Sequence, residues 1–115
     1  HHALWIKNFT QGCLFTNFTL ETSFVHDLSV EGLAHGNVFS KGTAVRLNLD
    51  HHGNLPYENL FTDLDAGYIG RLYASGGATT RLPHTAARST VWNIRGTSGS
   101  APSSTPGRRC PPCRR

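Results

Sequence analysis

The residues best suited to chemistry are acids and histidines in two neighbouring segments. Asp50 is followed directly by His51 and His52, and the second segment carries Asp63 and Asp65. Carboxylates brought close together repel each other, so one of them acquires a raised pKa unless a cation lies between them. A protonated acid beside an ionised one can cleave a glycosidic bond, whereas ionised carboxylates together bind Ca²⁺, which prefers oxygen ligands. These residue types therefore predict either acid–base chemistry or a calcium site.

Short strands are the elements that must position these side chains. Residues 46 to 53 and 61 to 67 alternate apolar and polar side chains and end in glycine, and similar phrases occur at residues 27 to 32, 71 to 76 and 91 to 96. A period of two is typical of a strand with one face in a core and the other in water. No segment combines helical periodicity with caps at both ends, so we expect little or no α-helix.

Aligning the five phrases on their glycines predicts an inner and an outer column. The predicted inner residues are Leu28, Val30, Leu47, Leu49, Thr62, Leu64, Leu72, Ala74, Trp92 and Ile94. The predicted outer residues are Ser29, Asn48, Asp63, Tyr73 and Asn93, followed two positions later by Glu31, Asp50, Asp65, Ser75 and Arg95. Irregular repeats of roughly 20 residues without helices favour a parallel β-helix over a sandwich. Adjacent coils lie about 4.8 Å apart, so Glu31, Asp50 and Asp65 are expected side by side, with Asn48 beside Asp63.

A family resemblance supports this architecture. Residues 17 to 22, 26 to 30 and 58 to 63 resemble coils of right-handed parallel β-helix proteins of the pectin-lyase-like superfamily, and the resemblance covers about residues 4 to 96. It implies an extracellular or periplasmic protein that acts on, or binds, acidic polysaccharide. Complete family members are several times longer, so we expect the chain to be a monomer or part of a longer chain.

The resemblance also implies roles for the outward side chains. The implied catalytic residues are Asp50, Asp63, Asp65, His51 and Arg95. The substrate-binding residues are Asn48, Arg71 and Tyr73, and Ca²⁺ would lie between Glu31, Asp50 and Asp65. Two reactions stay open: hydrolysis by an acid and its carboxylate partner, or β-elimination in which Ca²⁺ neutralises a uronate and an arginine takes the proton.

Two other interpretations of the same columns stay open. The outward acids can be solvated partners of Arg46, Arg71 and Arg95, or the columns can form a noncatalytic carbohydrate-binding or adhesin surface. Adjacent residues of a strand point to opposite faces, so His51 and His52 alone are not expected to bind zinc. We therefore expect a polysaccharide lyase or glycoside hydrolase if the protein is an enzyme.

Charge and composition separate the body of the chain from its end. The net charge of +4 comes from four arginines among the last eight residues, which leaves seven basic and seven acidic side chains in residues 1 to 107. A balanced body predicts no specific nucleic-acid partner, and no apolar run is long enough to predict a membrane span. Residues 97 to 115 lack large apolar side chains, so we expect β-helix coils over residues 1 to 96 and a disordered tail after them. Cys110 and Cys113 have redox spacing but fall in this tail, so no redox role is expected.

Overall fold

The chain is all-β in the computed structural model, which describes residues 1–73, 75–76, 78, 80 and 86–97. The strands are β1 (His2–Ile6), β2 (Leu14–Thr16), β3 (Thr19–Leu20), β4 (His26–Val30), β5 (Val38–Ser40), β6 (Thr43–Ala44), β7 (Arg46–Leu47), β8 (Leu49–His51), β9 (Leu60–Ile69) and β10 (Thr90–Thr97). No α-helix occurs in these described ranges. The all-β prediction is therefore confirmed.

All strand pairs in the described part of the chain are parallel, and they belong to two sheets. The short sheet contains β1, β4 and β8 in that order, whereas the long sheet contains β2, β5, β9, β6 and β3, with β7 and β10 also paired to β9. In the short sheet, Leu4 pairs with Leu28 and Leu28 with Leu49. These three leucines therefore occupy the same level of the sheet in successive layers. Parallel pairing requires a crossover between layers, because a hairpin would reverse the strand.

The long sheet repeats the same progression with more layers. Its inner column runs through Phe15, Phe39, Phe61 and Val91 in register. The last step of this column, from Phe61 to Val91, is the longest along the chain. The single strand β9 pairs along its length with the short strands β5, β6 and β7. One continuous strand therefore occupies the length that three separate strands occupy in the preceding layer.

Residues in the left-handed backbone region form the corners between strands. One corner column follows the pairing of Thr62 with Trp92 and consists of Asn17, Lys41, Asp63 and Asn93, with φ of 56°, 52°, 54° and 49°. A second contains Gly12, Gly36, Glu58 and Arg88, with φ of 68°, 63°, 54° and 53°. Left-handed residues interrupt an extended strand, so each column turns the chain at the same place in successive layers.

The core lies between the inner faces of the two sheets. Its fully buried side chains include Leu28, Val30 and Leu49 from the short sheet and Phe39 and Phe61 from the long sheet. The rings of Phe15 and Phe39 stack with centroids 5.2 Å apart, and those of Phe39 and Phe61 with centroids 5.0 Å apart. Stacking like side chains across layers therefore fills the core without help from a helix.

Two buried asparagines satisfy the backbone at one turn. Asn37 Oδ1 accepts from the Cys13 N–H at 3.0 Å, and Asn37 Nδ2 donates to Asn59 Oδ1 at 3.0 Å. Asn59 Nδ2 donates to the Ala34 carbonyl at 3.0 Å. Because buried polar groups need partners, this amide ladder links successive layers where the strand ladder is absent.

The uneven intervals between the five phrases also allow some copies to lie on different faces of one coil, and the structure divides them in this way. Residues 28 to 30 lie in the short sheet, whereas residues 60 to 69 and 90 to 97 lie in the long one. Leu28 pairs with Leu49 rather than Leu47, and the described residues among 71 to 76 form no strand. The unequal intervals between phrases reflect this division, since each of the first three layers contributes strands to both sheets.

The predicted inner position of Trp92 is also wrong, because its side chain is 70% exposed. It pairs with Thr62, while the neighbouring Phe61 is fully buried. The left-handed corner at Asp63 inserts one residue between inward Phe61 and inward Leu64, which shifts the alternation. Ala74 and residues 98–115, which include most of the predicted disordered tail and both tail cysteines, lie outside the described residues.

Candidate functional site

The predicted acids occupy different sheets. Asp50 lies in β8 of the short sheet, opposite Ser29 of β4. Asp65 lies in β9 of the long sheet, where it pairs with Thr43 on one side and Arg95 on the other. The expected juxtaposition of Asp50 and Asp65 is therefore wrong, because the alignment on glycines joined strands from two different faces.

The predicted calcium ligands do not share one surface. Glu31 directly follows β4, is 6% exposed, and accepts a hydrogen bond from Trp5 Nε1 at 3.1 Å. Asp50 is fully buried, whereas Asp65 is exposed on the long sheet. The roles assigned to these side chains stay predictions, but a common wall that carries all three is absent from the described residues.

Two predicted substrate-binding residues, Asn48 and Arg71, form hydrogen bonds with backbone groups rather than a shared solvent-facing surface. Asn48 is 7% exposed, and its Nδ2 donates to the Phe24 carbonyl at 3.1 Å. Its Oδ1 accepts from the Arg71 N–H at 3.1 Å. The Arg71 guanidinium donates to the Val25 carbonyl at 3.1 Å. These contacts tie the segment after β9 to the layer below it.

The two other side chains predicted near the acids lie in different surroundings. His51 is 3% exposed, and its ring meets Phe61 edge-on with centroids 5.7 Å apart. Tyr73 is 79% exposed. A histidine at the core side of β8 cannot face the solvent-exposed acids of β9 across the packed interior, so these predicted site residues do not converge.

The outer face of the long sheet carries ordered columns of polar side chains. One column contains Thr16, Ser40, Thr62 and Trp92, and another contains Thr19, Thr43, Asp65 and Arg95. Between them, Asn93 Nδ2 donates to Asp63 Oδ1 in the corner column. Asp63, Asp65 and Arg95 of the prediction are thus brought onto one face. Hydroxyl, amide, carboxylate and guanidinium groups are presented there beside an exposed indole.

The short sheet carries a second constellation, which we name the His–Asp cluster and define as His26, Asp50 and His52. His26 Nδ1 lies 2.8 Å from Asp50 Oδ2, and His52 Nδ1 hydrogen-bonds the same oxygen. The Gly76 N–H donates to Asp50 Oδ1 at 2.7 Å. Asp50 therefore has contacts on both oxygens, and two imidazoles share one of them.

Two more aromatic side chains cover the His–Asp cluster. The His2 ring stacks on Trp5 with centroids 4.2 Å apart and on His26 with centroids 4.7 Å apart. His2 Nδ1 lies 2.9 Å from Ser29 Oγ, within hydrogen-bond distance. The predicted outward columns of the short sheet are consequently buried beneath rings rather than exposed.

Burial dominates the electrostatics here. It is the largest cause lowering the pKa of His26 from 6.5, opposed by the nearby Asp50 carboxylate. Burial also lowers the pKa of His2, followed by repulsion from His26. The neighbouring Asp27 carboxyl has its pKa raised by burial, although hydrogen bonds from the Asn48 and Phe24 N–H groups oppose the shift. Burial thus disfavours the charged form of His2, His26 and Asp27.

Sequence reasoning missed the His–Asp cluster, although one signal for it was present. His2 pairs with His26 in the same register that pairs Leu4 with Leu28. The step from β4 to β8 is shorter along the chain, since Leu28 pairs with Leu49, and His52 lies just beyond β8. By that register His52 lies at the level of Glu31 and not of His26. The signal for His52 is instead its position two residues after Asp50, which places both side chains on one face of an extended chain.

The comparisons assign no relative. No protein-family model, curated protein or solved structure matches the chain. Within the described ranges, no helix has the length and apolar character needed to cross a bilayer. Function must therefore be argued from the two surfaces themselves.

Proposed function

We propose that this chain is a segment of a right-handed parallel β-helix protein that binds polysaccharide on the outer face of the long sheet. Parallel strands that return in register in layer after layer, with aligned left-handed corners, support the β-helix. Right-handedness is supported by the strong preference for right-handed crossovers between parallel strands of one sheet. The proposed ligand also leads us to propose an extracellular or periplasmic location and a monomer or part of a longer chain.

Exposure of Trp92 is the observation that carries this proposal. The side chain is 70% exposed although it belongs to a strand whose neighbours pack into the core. An indole offers a flat apolar face and an N–H donor, which suits stacking against the C–H face of a pyranose ring. Asn93 and Asp63 at the adjoining corner, and Thr62 beside Trp92 in the next strand, supply partners for sugar hydroxyl groups.

Binding is favoured over the predicted catalysis that combines Asp50 with the acids of β9, because Asp50 lies in the other sheet. Hydrolysis requires two carboxyl groups that flank one glycosidic bond, and Asp50 is buried in the short sheet away from Asp65. The noncatalytic carbohydrate-binding or adhesin role therefore has the stronger support. Ca²⁺ is not part of this proposal, since its three predicted ligands are dispersed.

The first experiment measures binding. Polygalacturonate, alginate and ulvan are titrated into the full chain by calorimetry, alongside a Trp92→Ala variant and a Trp92→Phe variant. We expect Trp92→Ala to weaken binding about tenfold, since an aromatic contact contributes up to roughly 1.5 kcal/mol beyond its area. Trp92→Phe should keep most of the affinity because a ring face is retained.

The matched control is Leu14→Ala, because Leu14 is also exposed on the long sheet, at 64%, but lies in β2 at its far edge. This variant should bind as the unmodified chain does. Equal affinity of the Trp92→Ala variant and the unmodified chain would contradict the proposed face. Failure of all three glycans to bind would contradict the proposed ligand class.

A lyase or hydrolase is the second candidate function, favoured only by the register of Asp65 with Arg95. These two side chains and Asp63 provide an acid pair and a base on the face that would bind glycan. Ultraviolet absorbance of unsaturated products distinguishes β-elimination from hydrolysis, which releases reducing ends only. Activity that disappears in Asp65→Asn but persists in Asp50→Asn would support this candidate, and absence of both products would leave the binding role.

A further inference from the structure

The His–Asp cluster brings three possible metal-ligand atoms close together in a largely buried part of the short sheet. One ligand atom from each of His26, Asp50 and His52 lies within 4.8 Å of the others. The side chains of His26 and Asp50 are 9% and 1% exposed, and that of His52 is 12% exposed. Strands β4 and β8 hold two of them, and His52 directly follows β8. The arrangement is therefore built into the short sheet rather than into a loose loop.

An independent observation at the His26 ring supports a bound cation in the cluster. His26 Nδ1 is buried and has no hydrogen-bond partner among the described residues, although it lies 2.8 Å from Asp50 Oδ2. The distance permits attraction, but the angular arrangement is not that of a donor and an acceptor. Leaving a buried nitrogen unpaired costs free energy, and a cation bound between nitrogen and oxygen would satisfy both atoms.

A simple ion pair would bring one imidazole to Asp50, whereas both His26 and His52 lie within ion-pair distance of the same Asp50 oxygen. A fully buried carboxylate also requires strong compensation. Two imidazole nitrogens that converge on one carboxylate oxygen provide the donor set of a metal site.

We propose that His26, Asp50 and His52 bind a single divalent transition-metal ion, with Zn²⁺ as the expected ligand. Zinc takes imidazole nitrogen and carboxylate oxygen at about 2.0–2.2 Å, and tetrahedral geometry then separates ligand atoms by roughly 3.3 Å. Calcium is disfavoured because two of the three donors are nitrogens.

Neighbouring groups already orient the proposed ligands. The Gly76 N–H holds Asp50 Oδ1 at 2.7 Å, which leaves Oδ2 directed at the two histidines. The His2 ring stacks on His26 and is itself fixed by its contact with Ser29 Oγ at 2.9 Å. Outer contacts of this type fix the orientation of ligating side chains in metalloproteins.

The test titrates Zn²⁺ into the chelator-treated full chain by calorimetry and records the visible spectrum after Co²⁺ is substituted. We expect one equivalent of Zn²⁺ and a tetrahedral Co²⁺ spectrum. His26→Ala and His52→Ala should each weaken Zn²⁺ binding more than about 100-fold, because loss of an outer contact alone costs about 10–100-fold. His35→Ala is the matched control, since His35 stacks on Tyr57 at 4.6 Å outside the cluster.

A second measurement uses only the unmodified chain, so it does not depend on whether a variant folds. Addition of Zn²⁺ should shift the imidazole ¹⁵N resonances of His26 and His52 and leave those of His35 unchanged. Absence of Zn²⁺ binding would overturn the proposal. Binding that persists in both His26→Ala and His52→Ala but disappears in His1→Ala would overturn it as well, because it would locate the ion at the exposed first histidine.

Discussion

The two sheets share an inner design but differ on their outer faces. Leu28 and Leu49 of the short sheet and Phe39 and Phe61 of the long sheet are all fully buried and aligned across layers. On the outer face of the short sheet, the rings of His2 and Trp5 cover the buried Asp50 carboxylate. On the outer face of the long sheet, the Trp92 side chain is 70% exposed. Parallel layers thus fix the interior, while the covering of each outer face determines which polar side chains reach solvent.

The difference also explains why the acids behave unlike one another. Asp50 and Asp65 occupy similar positions in their strand phrases, yet one is buried and the other exposed. Hydration stabilises an exposed carboxylate, whereas a buried one depends on specific partners. The chemical role open to an acid therefore follows the sheet in which it lies rather than its place in the repeat.

Truncation of matched inner side chains should have the largest effect. We expect Phe39→Ala to lower the free energy of unfolding by about 3–5 kcal/mol and Leu28→Ala by about 2–5 kcal/mol, because each leaves a cavity in a packed core. Urea unfolding measures both. Phe9→Ala and Leu14→Ala serve as controls at 70% and 64% exposure, with expected changes within about 0.5 kcal/mol. A Leu28→Ala cost as small as that of its exposed control would show that the two inner faces are not equivalent.

Removal of the amide ladder should have the next largest effect. Asn59→Ala leaves the Ala34 carbonyl and the Asn37 N–H without their side-chain partner, at a cost of about 1–3 kcal/mol for each buried group left unpaired. Chemical denaturation again provides the measurement. Thr16→Ala, at an exposed outer position of the same sheet, should change stability little, and a similar loss in both variants would assign no special role to the ladder.

The close contact between Gly42 and the Phe18 ring of the adjacent layer allows a third test, of packing between layers of the long sheet. A Cβ at Gly42 would overlap the Phe18 ring, so Gly42→Ala should cost about 1–3 kcal/mol through overpacking. The same substitution in a Phe18→Ala background should cost less, because the space is then available. A double-mutant cycle measures this coupling, and strictly additive losses would contradict the contact.

Acidification should have the smallest effect and should act mainly on the short sheet. Because the pKa of His26 is lowered from 6.5 in the folded chain, the unfolded state takes up a proton near that pH before the folded state does. Stability in the presence of a chelator should therefore fall as pH decreases through 6.5 and continue to fall down to the folded pKa. The groups that act on His26 are Asp50, His52 and Arg71, together with the terminal amine.

His26→Gln isolates that contribution from other titrating groups. Its stability should fall less steeply than that of the unmodified chain over the same pH interval. The comparison removes the opposite influence of Asp27, whose raised pKa reduces stability as pH rises above 3.8. Parallel pH profiles for the two proteins would contradict a role of His26 in the acid response.

Strand content and most of the core were predictable from the sequence, whereas the surfaces were not. Period-two alternation identified Leu28, Val30 and Leu49 as inner residues, and they are fully buried. Trp92 was placed wrongly because Asn93, with φ of 49°, forms a left-handed corner. Asparagine adopts that conformation only in particular contexts, so residue type alone did not reveal the shift in alternation.

The division of the layers between two sheets also could not be predicted in detail from the sequence. The steps from Leu28 to Leu49 and from Phe61 to Val91 differ in length because each corner contains its own number of residues, which period-two patterns do not record. As a result, Asp50 was aligned with Asp65, although its register partner is Ser29 of the short sheet. The constituents of the His–Asp cluster were visible in the sequence, but their convergence required the registers.

The long interval before β10 shows how this architecture absorbs added sequence. Leu60 and Thr90 are in register, although the step between them is longer than the step from Val38 to Leu60. The extra length falls after β9, and the pairing of β10 follows the same inner and outer pattern as the layers before it. A step between layers can therefore lengthen without a change in the register of the strands that it joins.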